Sequence, residues 1–210
     1  MKIQKYVNIF VSGFMLNPHK YNPLLFSNIH NVVYQKYYVN IFDNFNVSIS
    51  DNINTLYNII DQIDTTTQIN LIGHSSGASI MYKLYSDNLQ DNKYKNINGL
   101  VLCNPVDYNK KYSIISNKNM FNNKCFLFDS LNNNDDFFGI ETSPSNRDYR
   151  MFTNNFQKNN ILLYNKTLRV SHNDIYDSPI IFNIGKSNNN KNNINNYCTK
   201  INSILLKLNE

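Results

Sequence analysis

Tryptophan is absent from this 210-residue sequence, cysteine and arginine occur three times each, and no apolar run is long enough to span a bilayer. Each scarcity removes a class of protein. Cys103, Cys125 and Cys198 are odd in number, far apart and without CxxC or Cys/His spacing, so neither a disulfide framework nor a zinc site is expected. A reducing surrounding follows. The lysines are scattered and the only arginines are Arg147, Arg150 and Arg169, so the formal charge of +5 forms no stripe that could track phosphates. No nucleic-acid partner is expected. The first apolar stretch, YVNIFV at 6–11, is too short to cross a membrane and reads as a strand, so the expectation is an intracellular protein without stable membrane insertion.

What is present is enough for one domain. A chain of this length removes roughly 70% of its unfolded surface from water, and 41% hydrophobic with 13% aromatic residues supply the core. The mean hydropathy of −0.46 is polar because about a fifth of the residues are asparagine. We read residues 1–210 as a single domain, and the sequence leaves the oligomeric state open.

Apolar runs of strand length alternate with segments of helical period, the pattern of a mostly parallel sheet with helices on both faces. The pattern predicts six strands, at 6–11, 37–42, 68–73, 97–103, 124–129 and 161–170. Helices are expected at 21–31, 50–63, 76–89 and 194–208, where Ile201, Ile204, Leu205 and Leu208 form one stripe. Residues 137–160 are the only stretch long enough to overlie a site, as a minimal lid.

Chemistry enters at Gly73-His74-Ser75-Ser76-Gly77. The pattern G-x-S-x-G after an apolar strand and before a helix is the sequence of a nucleophile elbow, a sharp turn that lifts a serine above the carboxyl edge of a sheet. Glycine is needed two residues before and after the serine, where side chains would strike the strand and the helix. Ser75 is therefore the expected nucleophile, within an α/β-hydrolase fold. A serine hydroxyl needs a base, and of the four histidines His172, after the last strand in LRVSHNDIYD, stands where the chain order nucleophile, acid, histidine places it. His74 lies within the elbow and points away from the hydroxyl. The expected oxyanion donors are the backbone N–H groups of Ser76 and of Phe14, the latter after Val11-Ser12-Gly13. Phe14, Met15, Tyr108, Phe137 and Phe138 would give the site an apolar edge. Such chemistry requires no metal and no cofactor.

IFVSGFMLNPHKYNPLL, LIGHSSGA, GLVLCNPVDY, SPSNRDYRMFTNNF and SHNDIYDS resemble, in that order, segments of the plant chlorophyllase-like α/β hydrolases. The resemblance implies an esterase or lipase acting on hydrophobic esters, with Ser75 and His172 in the family's nucleophile and base positions. The family's acid opens an Asp-Pro-Val run after the strand following the elbow. That position is Asn104 here, in Asn104-Pro105-Val106-Asp107. Asp107, three residues on, is taken as the carboxylate, with Asn104 and Asp135 as alternatives for the third member and Asp129 and Asp136 near the latter. Ser12 replaces the family's histidine in the first loop and Ser76 replaces a larger basic residue, so chlorophyll itself is not implied. Two rival readings remain: a non-catalytic protein of the same fold that binds a small hydrophobic ligand, and an acyltransferase or thioesterase on the same residues.

Overall fold

The computed structural model describes residues 5–13, 16–38, 49–105, 121–130, 136–137, 140–141, 156–164, 175–176 and 191–210. Six strands form one sheet: β1 (Tyr6–Val11), β2 (Val32–Gln35), β3 (Gln68–His74), β4 (Ile97–Cys103), β5 (Cys125–Ser130) and β8 (Ile161–Tyr164). Their order is β2-β1-β3-β4-β5-β8, and every pairing is parallel. Two two-residue strands, β6 (Asp136–Phe137) and β7 (Ile140–Glu141), pair antiparallel at the start of the stretch expected to overlie the site, with Asp136 just before it.

Alternation along the strands builds two cores. Ile9, Val11, Leu71, Leu100, Leu102 and Leu127 face α1 (Ile49–Asp61) and α2 (Ser76–Asp91), which bury Ile53, Leu56, Ile60, Met81 and Tyr85 against them. Phe10, Ile72, Val101, Cys103 and Phe128 face the other way, toward Tyr197, Ile201, Leu205 and Leu208 of α3 (Lys191–Leu208). Covering both faces is what lets these strands read as almost unbroken apolar runs. All three cysteines are buried, and burial pushes the Cys125 thiol up to about 12. Among the described residues, no helix is long and apolar enough to cross a membrane.

Two expectations need correction. The second strand is Val32–Gln35, not 37–42. Its register, Asn8 with Val32 through Val11 with Gln35, ends where the chain is pulled away from the sheet. The Asn52 side chain accepts from Tyr38 N–H (2.9 Å) and donates to the Tyr38 carbonyl (3.0 Å), taking both backbone groups a ladder would use. Residues 39–42 of the expected strand lie outside the described residues. The expected helix at 21–31 is instead a short 3₁₀ turn at Pro23–Leu25, preceded by another at Pro18–Lys20. Asn17 and Asn22 accept from the N–H groups two residues on, and Asn28 (φ 63°) and Asn31 (φ 57°) sit in the left-handed region. Asparagine competes locally for backbone groups and tolerates that region, which ends a helix that apolar spacing alone would permit. Leu25 and Ile29 still reach the core, as their spacing implied.

At the amino ends of the strands a buried asparagine ladder closes the domain. Asn70 Nδ2 donates to Asn8 Oδ1 (3.1 Å) and to Asn209 Oδ1 (2.8 Å), while Asn98 Nδ2 donates to Asn70 Oδ1 (3.0 Å) and to the Leu208 carbonyl (3.1 Å). It ties β1, β3 and β4 to the end of α3. Asn70→Leu preserves volume but strands the facing amides, so we expect a loss of about 2–4 kcal/mol of stability. Urea unfolding monitored by circular dichroism would read it, and an unchanged midpoint would show that the ladder contributes nothing.

Candidate active site

The strand order places one point of the sheet apart from the rest. From β1 the chain turns outward to β2, then returns to β3 on the opposite side of β1, so connections leave the carboxyl ends of β1 and β3 in opposite directions. Open α/β sheets bind ligands in the crevice formed at such a reversal. Ser12 and Gly13 follow β1 there, and Ser75 follows β3.

Ser75 has φ 57° and ψ −125°, a conformation that a residue with a Cβ rarely adopts and that costs of order 1–3 kcal/mol. The surroundings impose it. Ser75 N–H donates to the Cys103 carbonyl (3.0 Å), and the Ser75 carbonyl accepts from Ala78 N–H (3.0 Å) as α2 begins. A Cβ on Gly73 would stand 2.5 Å from Ala78 Cα, and one on Gly77 would stand 2.4 Å from the carbonyl oxygens of both Ser12 and Val11. The two glycines thus let strand, helix and first loop close around the serine. Ser76 opens α2, where its N–H has no partner within the helix.

Gly77→Ala is expected to destabilise the protein by about 3 kcal/mol or more, because the methyl group meets the end of β1, where backbone rather than a flexible side chain must move. A urea midpoint within error of the wild type would contradict this packing.

The first loop is packed against the elbow and wired to it. A Cβ on Gly13 would lie 3.0 Å from Ser75 Cβ and 3.2 Å from His74 Nδ1. Gly13 N–H donates to the Tyr21 hydroxyl (2.9 Å), which also lies 2.9 Å from His74 Nδ1. Gly13 N–H is therefore engaged internally. His74 is wholly buried. Ser12 Oγ donates to the Leu16 carbonyl (2.9 Å) and accepts from Tyr37 N–H (3.3 Å). Tyr21 had no signal in the sequence; an aromatic residue eight positions after Gly13 looks like any core tyrosine.

Asn104 follows β4, fully buried, with φ 47° and its N–H donating to the Phe128 carbonyl (2.8 Å). The adjoining Cys103 carbonyl is the acceptor for Ser75 N–H, so Asn104 comes just past the end of the strand directly beside the elbow. Asp129 lies in β5, opposite Leu163. His172, Asp107, Asp135 and Phe14, with Met15, Tyr108 and Phe138 of the expected apolar edge, fall outside the described residues; Phe137 and Asp136 belong to β6. The described neighbours of His172 in the chain are Ile175 and Tyr176. Asn22 N–H donates to the Ile175 carbonyl (2.8 Å), and Tyr21 bridges Tyr176 antiparallel. Among the described residues, no group of three or more histidine, cysteine or acidic side chains is placed to hold a metal.

No protein-family model matches the sequence, and no curated protein does. Solved structures do. Est1E from Butyrivibrio proteoclasticus superposes with a TM-score of 0.58 at 10% identity, covering 98% of this chain and 89% of its own. A hyperthermophilic esterase from the archaeon Pyrobaculum calidifontis gives 0.55 at 13% identity, over 97% and 76%. A YdeN-like hydrolase from Pectobacterium atrosepticum gives 0.54 at 12%, over 94% and 92%. The chain has the α/β-hydrolase fold, as its sequence led us to expect.

Proposed function

We propose that this chain is a serine hydrolase that cleaves carboxylic esters of hydrophobic substrates through an acyl-enzyme on Ser75. The observation that carries the reading is the backbone of Ser75 itself. A left-handed serine, costly to hold and enclosed by glycines whose absent side chains are required, occupies the sheet's ligand-binding reversal. Glycine would take the same backbone conformation without strain.

In the proposed mechanism His172 removes the Ser75 proton as the oxygen attacks the ester carbonyl, then returns it to the leaving alcohol. Water resolves the acyl-enzyme by the reverse route. The oxyanion is met by the N–H of Ser76, at the positive end of α2, and by that of Phe14. The place of His172 is supported by the anchored pair that follows it, because Ile175 is three residues on and three residues span at most about 10 Å. Ile175 is tied to Asn22, next to the tyrosine that touches both Gly13 and His74. Asp107 completes the triad, with Asn104 and Asp135 as alternatives. The chlorophyllase-like segments favour hydrophobic esters over other acyl substrates, and the hyperthermophilic esterase among the similar folds is in keeping with ester cleavage.

A rapidly reacting fluorophosphonate tests the reading directly. Stoichiometric labelling at Ser75, found by peptide mass spectrometry, is expected within minutes, with hydrolysis of p-nitrophenyl esters of short to medium chain length. A protein that binds hydrophobic ligands yet never labels would be the non-catalytic member of the fold, a reading that Asn104 in the family's acid position favours. Aminolysis outrunning hydrolysis, or preference for thioesters, would move the assignment to acyl transfer or thioester cleavage on the same residues.

A further inference from the structure

We propose that Tyr21 is a positioning residue of this site, its hydroxyl clamping the first loop to the nucleophile elbow by accepting from Gly13 N–H while donating to His74 Nδ1. The inference rests on the esterase reading above. One oxygen joins two segments that are 8 and 53 residues away from it in the chain, at 2.9 Å to each. The phenol carries a single proton, and with Gly13 donating to its oxygen that proton satisfies His74 Nδ1 in the tautomer that carries its ring proton on Nε2. Burial raises the phenol well above its ordinary range, so it keeps this proton at any working pH.

The clamp is rigid on the side that matters. The Tyr21 ring meets Phe10 edge-on (4.8 Å between centroids, 83°), His74 (5.4 Å, 79°) and Tyr176 (5.3 Å, 84°). Gly13 has so little room that a methyl group on it would press on Ser75 Cβ, so a loop movement of a few tenths of an ångström alters its fit to the nucleophile. The next amide along is that of Phe14, the proposed oxyanion donor. Pre-set donors contribute because they need no reorganisation as charge develops, and their position has to be held by something. Tyr21 also bridges Tyr176, four residues beyond the proposed base in the chain.

Tyr21→Phe keeps every ring contact and deletes one atom. With the hydroxyl gone, kcat for p-nitrophenyl butyrate should fall about 10- to 100-fold, as for the loss of part of an oxyanion hole, with KM moving less than about 3-fold. The discriminating readout is the thionoester of the same substrate, whose developing thiolate is a weak hydrogen-bond acceptor. The ester should lose at least about 5-fold more than the thionoester, whereas a general loosening of the fold would lower both alike. Wild-type protein is first treated with fluorophosphonate. Failure to label overturns the esterase reading and this inference with it. Labelling of the wild type with an unchanged kcat in folded Tyr21→Phe, or with equal losses on the two substrates, overturns the role of Tyr21 alone. Should Tyr21→Phe not fold, His74→Leu removes the acceptor from the other end of the clamp, and the same ester-selective loss is expected; an unchanged ester-to-thionoester ratio overturns the inference.

Discussion

Ser75→Ala should abolish ester hydrolysis, lowering kcat by about 10⁴-fold or more, while circular dichroism and the urea midpoint stay close to those of the wild type. Only the hydroxyl is removed. Alanine inherits the same left-handed strain, since it too carries a Cβ at φ 57°. A second substitution separates chemistry from strain. Ser75→Gly removes the hydroxyl and the Cβ together, and should be as inactive as alanine but more stable than the wild type by about 1–2 kcal/mol. Activity lost alongside stability gained is the signature of a residue kept for function at a cost to the fold. Retained hydrolysis in Ser75→Ala would move the chemistry away from the elbow altogether.

The second large effect is expected from Asp107→Asn. A carboxylate in the third position holds the imidazole in the productive tautomer and stabilises the imidazolium, so its amide should lower kcat by up to about 10⁴-fold without unfolding the chain. Asp135→Asn should be nearly silent. The reverse substitution tests the competing assignment, because Asn104→Asp restores the residue that the chlorophyllase-like pattern carries. With Asp107 already serving, a second carboxylate at the buried end of β4 should add nothing and slow the enzyme through repulsion or loss of stability. A rise in kcat in Asn104→Asp, together with a silent Asp107→Asn, would transfer the third role to position 104.

Both experiments bear on residues that differ in how plainly the sequence announces them. Ser75 was legible because the requirement is local: a strand, two glycines at fixed offsets and a helix start lie within one short stretch of chain. The same holds for α2, for α3 and for strands β1, β3, β4 and β5, whose apolar periods match what tertiary structure buries. Local pattern failed where asparagine intervened. Apolar spacing at 21–31 permitted a helix, yet side-chain caps and left-handed asparagines made turns of it. The run at 37–42 permitted a strand, yet Asn52, on a helix still to come, took the backbone groups of Tyr38.

By itself, then, the sequence determined the two-sided sheet, the elbow and its serine, and a chain without disulfide framework or zinc spacing, since each of these rests on composition or on short fixed spacings. Only the tertiary structure decided where β2 runs, that the buried asparagines of three strands form a ladder under α3, and that Tyr21 joins Gly13 to His74. These are hydrogen bonds between residues eight to more than a hundred positions apart. A hydrogen bond has no period along the chain, and until folding brings donor and acceptor together nothing distinguishes the tyrosine that clamps a loop from one that only fills a core.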